Sequence, residues 1–293
     1  MKIVIAGGTG FVGKALTKRL IDKGHKVIIL TRKGSQTGGN PTFHQWLTGG
    51  SSSSIQDIDV MINLAGESLS SGRWTTARKE RILSSRIEAT EAVLALMKNN
   101  PPKTFINASA IGYYGTSLTE TFTEEYKAAG TDFLATTVKN WEELALQSTT
   151  RTILCRFGII LDKTEGALPR MALPYKFFAG GTVGDGKQWM SWIHIQDVVE
   201  AILFLMEHEE IVGPVNFTAP NPISMKELGQ AIGKALERPH WIPAPSLALK
   251  MALGEMSLLV LEGQRVLPEK LQQAGYRFLY EKIDEALANI YQA

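Results

Sequence analysis

The chain has 293 residues, 44% of them hydrophobic and 20% charged, so it is long enough to bury a sizeable core without disulfides or a structural metal. Its 31 basic and 29 acidic side chains give a formal net charge of +2, which offers no electrostatic reason to expect nucleic acid or an anionic membrane as a partner. The single cysteine, Cys155, fits a reducing compartment, and no apolar run approaches the roughly 20 residues of a membrane span. Since no secretory signal opens the chain, the cytoplasm is the expected location.

Strands and helices are expected to alternate through about the first 160 residues. Apolar runs and helical spacings predict, in chain order, a strand at 3–6, a helix at 11–23, strands at 27–30 and 60–64, a helix at 74–98, a strand at 104–108, a helix at 132–147 and a strand at 151–161. Loops are predicted at 34–40 and at the serines 51–54. This alternation indicates an α/β fold, a doubly wound parallel sheet covered by helices on both faces.

The second half is less regular, and it predicts a smaller substrate lobe. Residues 166–192 are rich in glycine, proline and aromatics, and short helices are expected after residue 246. Ser224 and Glu227 have the spacing of a capping box at the start of a helix, and Asp197 is predicted to cap an earlier one. We therefore expect a cofactor domain at 1–165, to which later segments return, and a substrate lobe at 166–293.

A glycine-rich turn joins the first predicted strand to the first helix. It reads Gly7-Gly8-Thr9-Gly10-Phe11-Val12-Gly13. The first glycine of the G-x-x-G-x-x-G spacing permits a tight turn, the second lets the backbone approach a diphosphate, and the third lets the helix pack closely on the strand. The helix start then offers free amides to the phosphates, which is typical of a Rossmann dinucleotide site. A glycine-rich turn without a ligand is the alternative.

The end of the second strand predicts which cofactor is bound. An NAD site places an acid there for the ribose 2′-hydroxyl, whereas this chain has Thr31-Arg32-Lys33. Arg32 can pair with a 2′-phosphate and Lys33 adds charge, which favours NADP(H); ordinary solvated loop cations are the alternative. Asn63-Leu64-Ala65-Gly66 follows the next predicted strand, and its small residues would let a cofactor lie over that edge of the sheet.

The chain resembles the extended or atypical short-chain dehydrogenase/reductase superfamily, and more closely its nucleotide-sugar epimerase-like family with a C-terminal domain of unknown function. Besides the glycine turn, the matching stretches are Asn63-Leu64-Ala65-Gly66-Glu67-Ser68, Gly72-Arg73-Trp74, Ser84-Ser85-Arg86-Ile87-Glu88, Ala108-Ser109-Ala110-Ile111-Gly112-Tyr113-Tyr114-Gly115, Gln188-Trp189-Met190-Ser191-Trp192-Ile193-His194 and Gly263-Gln264-Arg265-Val266-Leu267-Pro268. The resemblance implies a seven-stranded parallel sheet, an NADP(H) site and a C-terminal domain from about residue 240. It also makes a homodimer an expectation, since homodimers are common in the superfamily.

The chain departs from the superfamily at the catalytic pair. The usual chemistry needs a tyrosine acid/base and a lysine four residues later, but Leu134 and Val138 stand at those places when the helix is aligned by Glu142. The Ser/Thr position after the preceding strand falls on Ala110, with Ser109 beside it. The classical mechanism therefore cannot be transferred.

Substitute groups follow the strand at 104–108. Tyr113 or Tyr114 could donate a proton to a carbonyl, with Ser109 as a hydrogen-bond donor; the alternative is that the tyrosines only orient the loop. Arg86 could face the cofactor and bind a phosphate or a substrate carboxylate, or it could form a surface salt bridge. The substrate lobe offers further candidates for anion binding, namely Arg156, Arg170, Lys187 and Arg265.

The remaining reactive residues are predicted to be structural. His194 is interpreted as a buried structural histidine and Cys155 as a core residue, and no cluster has the spacing of metal ligands. The sequence thus predicts an NADP(H)-dependent oxidoreductase or epimerase-like enzyme acting on a small carbonyl or sugar-like substrate. The alternative is a regulatory protein that senses the redox state of the cofactor without turnover.

Overall fold

The computed structural model describes residues 1–47 and 55–292. Its strands are β1 (Lys2–Ala6), β2 (Lys26–Thr31), β3 (Thr42–Gln45), β4 (Val60–Asn63), β5 (Thr104–Ala110), β6 (Thr121–Phe122), β7 (Arg151–Phe157), β8 (Ile159–Leu161), β9 (Trp189–Met190), β10 (Trp192–His194), β11 (Gly213–Phe217), β12 (Ile223–Ser224) and β13 (Arg265–Val266). Seven of them form one sheet in the order β11-β7-β5-β4-β1-β2-β3, and every neighbouring pair is parallel. This confirms the predicted fold class.

Helices connect these strands. They are α1 (Phe11–Asp22), α2 (Thr76–Met97), α3 (Phe133–Ala145), α4 (Leu168–Lys176), α5 (Ile195–Glu207), α6 (Met225–Ala235), α7 (Ser246–Leu253), α8 (Leu258–Leu261), α9 (Glu269–Gln273) and α10 (Ile283–Gln292), with 3-10 turns at Ile111–Tyr114 and Gly254–Ser257. None of the helices described is long and apolar enough to cross a membrane.

The sheet is covered on both faces because side chains alternate along each buried strand. Ile3 and Ile5 point to the face covered by α1 and α5, where they share a core with Leu16. Val4 points to the opposite face, where α2 contributes Val93 to a second apolar cluster. The two helix layers therefore cover opposite faces of the sheet, and the carboxyl ends of the strands lie between them.

A smaller core lies beyond the sheet. Helices α4, α6 and α10 bury Tyr175, Leu228 and Leu287 against Trp192 of β10. Ser224 and Glu227 form the predicted capping box at the start of α6. The chain then returns to the sheet, since α5 packs against it and β11 forms its edge beside β7.

Two local predictions were wrong, and one strand was missed. The run at 151–161 is two strands rather than one: β7 ends at Phe157 in the main sheet, whereas β8 pairs with β10, and the Ile159 amide donates to the Ser191 carbonyl at 2.9 Å. Strand β3 was missed, and the predicted loop at 51–54 lies outside the described residues. Asp197 does not cap α5: Nδ1 of His194 accepts from the Gln196 amide at 3.1 Å instead.

Candidate cofactor and substrate site

The glycine turn has a shape that only glycine permits at its first and last positions. Gly7 has a φ of 80°, and a Cβ atom there would lie 2.7 Å from the carbonyl carbon of Leu64. A Cβ at Gly13 would collide with the Gly7 carbonyl oxygen, so the helix could not start so close to the strand. The turn therefore packs the start of α1 closely on the end of β1, as the sequence predicted, and it brings Gly7 against the segment that follows β4.

The start of α1 leaves backbone donors free. Gly10 is the N-cap and provides no side chain, and no described residue accepts a hydrogen bond from the amides of Phe11, Val12 or Gly13. Thr9 is exposed beside them. Three free amides at the positive end of a helix fit the diphosphate of a dinucleotide, so the residues present fit the expected cofactor.

The end of β2 carries uncompensated positive charge. The Thr31 hydroxyl accepts from the Lys33 amide at 3.1 Å. Arg32 and Lys33 are exposed, and no carboxylate of the described residues lies within ion-pair distance of either. This end of the strand can therefore receive an anionic group and offers no acid to a ribose 2′-hydroxyl.

The segment after β4 lies directly beside the glycine turn. The backbone of Leu64 and Ala65 contacts Gly7, as described above. The side chain of Asn63 is buried: its amide donates to the Thr90 hydroxyl at 3.0 Å, and its oxygen accepts from the Ala65 amide at 3.2 Å. Asn63 thus shapes the strand end from within, while Leu64 and Ala65 form its surface.

Arg86 lies over Gly66 and has no acidic partner. A Cβ at Gly66 would be 3.3 Å from Cγ of Arg86, so the glycine leaves room for the arginine. Nη1 donates to the carbonyls of Ile82 and Glu67 at 2.7 Å and 3.2 Å, and the guanidinium lies 5.3 Å from the ring centroid of Trp141. Burial, assisted by the charge of Arg78, lowers the pKa of Arg86 to about 10. The predicted alternative of a surface salt bridge is therefore wrong for the described residues.

The hydroxyls proposed for catalysis are all engaged in internal hydrogen bonds. Ser109 is buried and donates to Glu142. Tyr114 donates to Oδ1 of Asn216 at 2.8 Å, and burial raises its pKa to about 12. Tyr113 is only half-buried, and its hydroxyl donates to the Lys127 carbonyl at 2.8 Å. These bonds favour the interpretation in which the residues orient the loop, and Tyr113 is the most accessible of the three.

A buried ion pair that sequence reasoning missed lies beneath this loop. Nε and Nη2 of Arg156 contact the carboxylate of Glu142, and the guanidinium stacks 3.6 Å from the ring centroid of Tyr113. The suggestion that Arg156 binds an anion in the substrate lobe was wrong, because Glu142 already neutralises it within the main sheet. The available signal was a charged residue in an otherwise apolar strand.

Apolar side chains, Leu134 and Val138, occupy the positions of the usual catalytic tyrosine and lysine. Leu134 lies near Gly112: a Cβ atom added at Gly112 would be 3.5 Å from the Cβ of Leu134. Val138 is buried. Neither side chain can exchange a proton, so the structure supports the departure seen in the sequence.

A cavity of about 500 Å³ lies beside the edge strand β11. Its lining includes Tyr113, Lys127, Arg156, Pro214 and Lys270. None of the lining residues comes from the glycine turn or from residues 63–66. The cavity therefore lies away from the expected dinucleotide path, although Tyr113 borders it.

The parallel sheet, the glycine turn and the free helix amides define a Rossmann-type dinucleotide-binding protein. A family model described as the NAD dependent epimerase/dehydratase family matches residues 3–136 and 169–217, and a domain of unknown function, DUF1731, matches 244–290. The chain belongs to the NAD dependent epimerase/dehydratase family.

Relatives and solved structures agree with this assignment. The chain is 48% identical to the epimerase family protein YfhF of Bacillus subtilis over 99% of this chain and 98% of that protein. It is 42% identical to the epimerase family protein SSP1921 of Staphylococcus saprophyticus, covering 98% of each. The human epimerase family protein SDR39U1, solved with NADPH, superposes with a TM-score of 0.92 at 31% identity, covering 100% of this chain and 99% of that one.

More distant structures share the fold. The UDP-glucuronic acid 4-epimerase from Bacillus cereus, solved with UDP-glucuronic acid and NAD, has a TM-score of 0.80 at 17% identity, over 100% of this chain and 98% of that one. At that identity the likeness shows the fold alone. A nicotinamide cofactor is thus supported by the family and by the geometry of the turn.

Proposed function

We propose that the chain is an NADP(H)-dependent oxidoreductase or epimerase-like enzyme that acts on a small carbonyl or sugar-like substrate without a Tyr/Lys pair. The observation that carries the choice of cofactor is the end of β2, where Arg32 and Lys33 are exposed, form no ion pair with any residue that the structure describes, and are followed by no acid in the sequence. A 2′-phosphate is the group that this charge fits. The similar human protein solved with NADPH supports the same choice.

The cofactor would be held by several parts of the chain. In this proposal the amides of Phe11, Val12 and Gly13 bind the diphosphate and the segment 63–66 supports the dinucleotide. A bound nicotinamide would supply or accept a hydride at a carbon of the substrate. The chain itself orients that carbon and delivers the proton.

Tyr113 is the proposed proton donor. Its hydroxyl is the only one of the three candidates on a half-buried side chain, and its partner is a backbone carbonyl in the loop after β6. The hydroxyls of Ser109 and Tyr114 are both buried in internal bonds, so in this proposal they hold the loop in place.

The cofactor proposal is tested by titrating the protein with NADPH and with NADH while following nicotinamide fluorescence. We expect Arg32→Ala to weaken NADPH binding by about tenfold or more and to leave NADH binding unchanged, because only NADPH carries the 2′-phosphate. Arg277→Ala, which removes an exposed arginine far along the chain, is the matched control. A preference for NADH that ignores Arg32 would overturn the proposal.

A redox sensor without turnover is the second candidate function. Leu134 and Val138 in place of the catalytic pair, together with the engaged hydroxyls, favour it. A protein that binds NADPH tightly, oxidises it with no member of a broad carbonyl panel and changes a partner's binding with cofactor redox state would be a sensor. Steady turnover of any carbonyl substrate would exclude this alternative.

A further inference from the structure

Arginines from two parts of the molecule converge on the short loop 67–70. Arg78 of α2 contacts the Glu67 carboxylate and the Ser68 carbonyl, and Arg86 donates to the Glu67 carbonyl. Arg170 of α4 donates to the Ser70 carbonyl at 2.8 Å. Glu67 is the only carboxylate that these three arginines contact among the described residues, so the loop carries an excess of positive charge.

The guanidinium of Arg86 presents one unused edge. Both of its hydrogen bonds come from Nη1, and no described residue accepts from Nε or Nη2. Neither of these atoms is among the fully buried unpaired ones, so both remain accessible. The Nε and Nη2 hydrogens form the side-on fork that pairs with two oxygens of a carboxylate or phosphate.

The surroundings of Arg86 strengthen any such pairing. Burial disfavours its charge, as the lowered pKa indicates, and an arriving anion would remove that cost. Arg86 lies on α2, whereas the free amides that fit the cofactor diphosphate lie at the start of α1, and these two helices cover opposite faces of the sheet. The amides of α1 already provide for the diphosphate, so Arg86 offers a place for a further anion.

We propose that the side-on edge of Arg86 binds a carboxylate or phosphate of the substrate, so that the substrate class is an anionic carbonyl compound. Arg170 adds positive charge at the same loop, and it joins the loop to α4, which packs in the second core. This inference rests on the proposed function, and it narrows the substrate from any small carbonyl to an acid or a phosphate ester.

The test uses malonate and inorganic phosphate as probes. Each is titrated by calorimetry into the NADPH-saturated protein and into the nucleotide-free protein. We expect at least one of them to bind the NADPH-saturated protein and to lose about tenfold in affinity in Arg86→Gln, since one charge-assisted fork is removed. Lys98→Gln, which removes an exposed charge at the far end of the same helix, is expected to retain the affinity.

A second variant separates loss of the site from loss of the fold. Arg86→Lys keeps the charge but lacks the fork, so its affinity for the probe should lie between those of the wild type and Arg86→Gln. Thermal unfolding and NADPH affinity should be unchanged in both variants. Equal weakening in Lys98→Gln, or no binding of either anion to the wild type, would overturn the inference.

Competition decides the source of the anion. If the probe competes with NADPH and Arg86→Gln weakens NADPH, the group at Arg86 is a cofactor phosphate and the inference is wrong. If the wild type binds no NADPH at all, the proposed function fails instead, and the titration of nucleotide-free protein still measures whether Arg86 holds an anion.

Discussion

Glu142 of α3 and Arg156 of β7 form a two-pronged ion pair, with Nε and Nη2 of the arginine 2.8 Å and 2.7 Å from the two carboxylate oxygens. The residues are only 4% and 3% exposed. Burial by itself would lower the pKa of Arg156, but the hydrogen bonds and charge of Glu142 outweigh it and raise that pKa. Each charge is therefore tolerated in the interior only because the other is present.

Glu142→Gln is expected to destabilise the protein strongly, because it leaves the guanidinium buried without a counter-charge. The free energy of unfolding, measured in urea, should fall by about 3–5 kcal/mol. Glu143→Gln is the control: Glu143 is exposed and pairs loosely with Lys139 at 3.8 Å, so its loss should cost about 0.5 kcal/mol at most. Equal losses in the two variants would show that the buried pair has no special role.

Features with local signals were predictable from the sequence. The glycine turn was correctly placed because its spacing and the strand and helix beside it all lie within a few residues. The capping box was predicted for the same reason, because Ser224 and Glu227 lie only three residues apart.

Features that depend on distant partners were not predictable. The sequence marks Arg156 and Arg86 as candidate anion binders. It does not show that Arg156 pairs with Glu142, whereas Arg86 pairs with no acid in the described part of the chain. The break at Gly158 was missed for the same reason, because β8 pairs with β10, which lies further along the chain. Asp197 looked like a cap, yet its carboxylate accepts from the Leu279 amide at 2.7 Å, far along the chain.

Gly13→Ala is expected to impair cofactor binding, because its methyl group would collide with the Gly7 carbonyl and displace the start of α1. NADPH affinity should fall by about tenfold or more, and stability should fall with it. Gly38→Ala is the matched control, since a Cβ at Gly38 meets no atom within 4 Å. The same affinity in both variants would contradict the assignment of the diphosphate site to this turn.

Tyr113→Phe is expected to lower kcat by about 100-fold on an identified substrate and to leave NADPH binding unchanged, because it removes the proposed proton donor. Tyr114→Phe should instead cost about 1 kcal/mol of stability, through loss of the bond to Asn216, with little effect on kcat. Unchanged turnover in the Tyr113 variant would rule out its role as proton donor.

His194→Asn is expected to flatten the pH dependence of stability. Burial lowers the pKa of His194 to about 4, although the charge of Asp162 acts in the opposite direction. The unfolded chain therefore takes up the proton at a higher pH than the folded one, and stability is lost as the pH falls from about 6.5 towards 4.

Urea denaturation at pH 7 and pH 5 measures this effect. The wild type should lose about 2 kcal/mol more than the variant between these values, because asparagine can still cap α5 without titrating. Parallel pH dependence in the two proteins would show that folding does not lower the pKa of His194.

Strand β11 pairs with β7 only after the chain has passed through α4 and α5. A fragment that ended at residue 165 would thus carry a six-stranded sheet whose β7 border displays a row of unsatisfied amides and carbonyls. Such a border recruits whatever strand is available, most readily that of another fragment, and it promotes aggregation. The fragment 1–165 therefore needs the rest of the chain, which supplies β11, to complete its sheet. If the protein were split at residue 165, the first fragment would stay in solution only when both fragments were produced together.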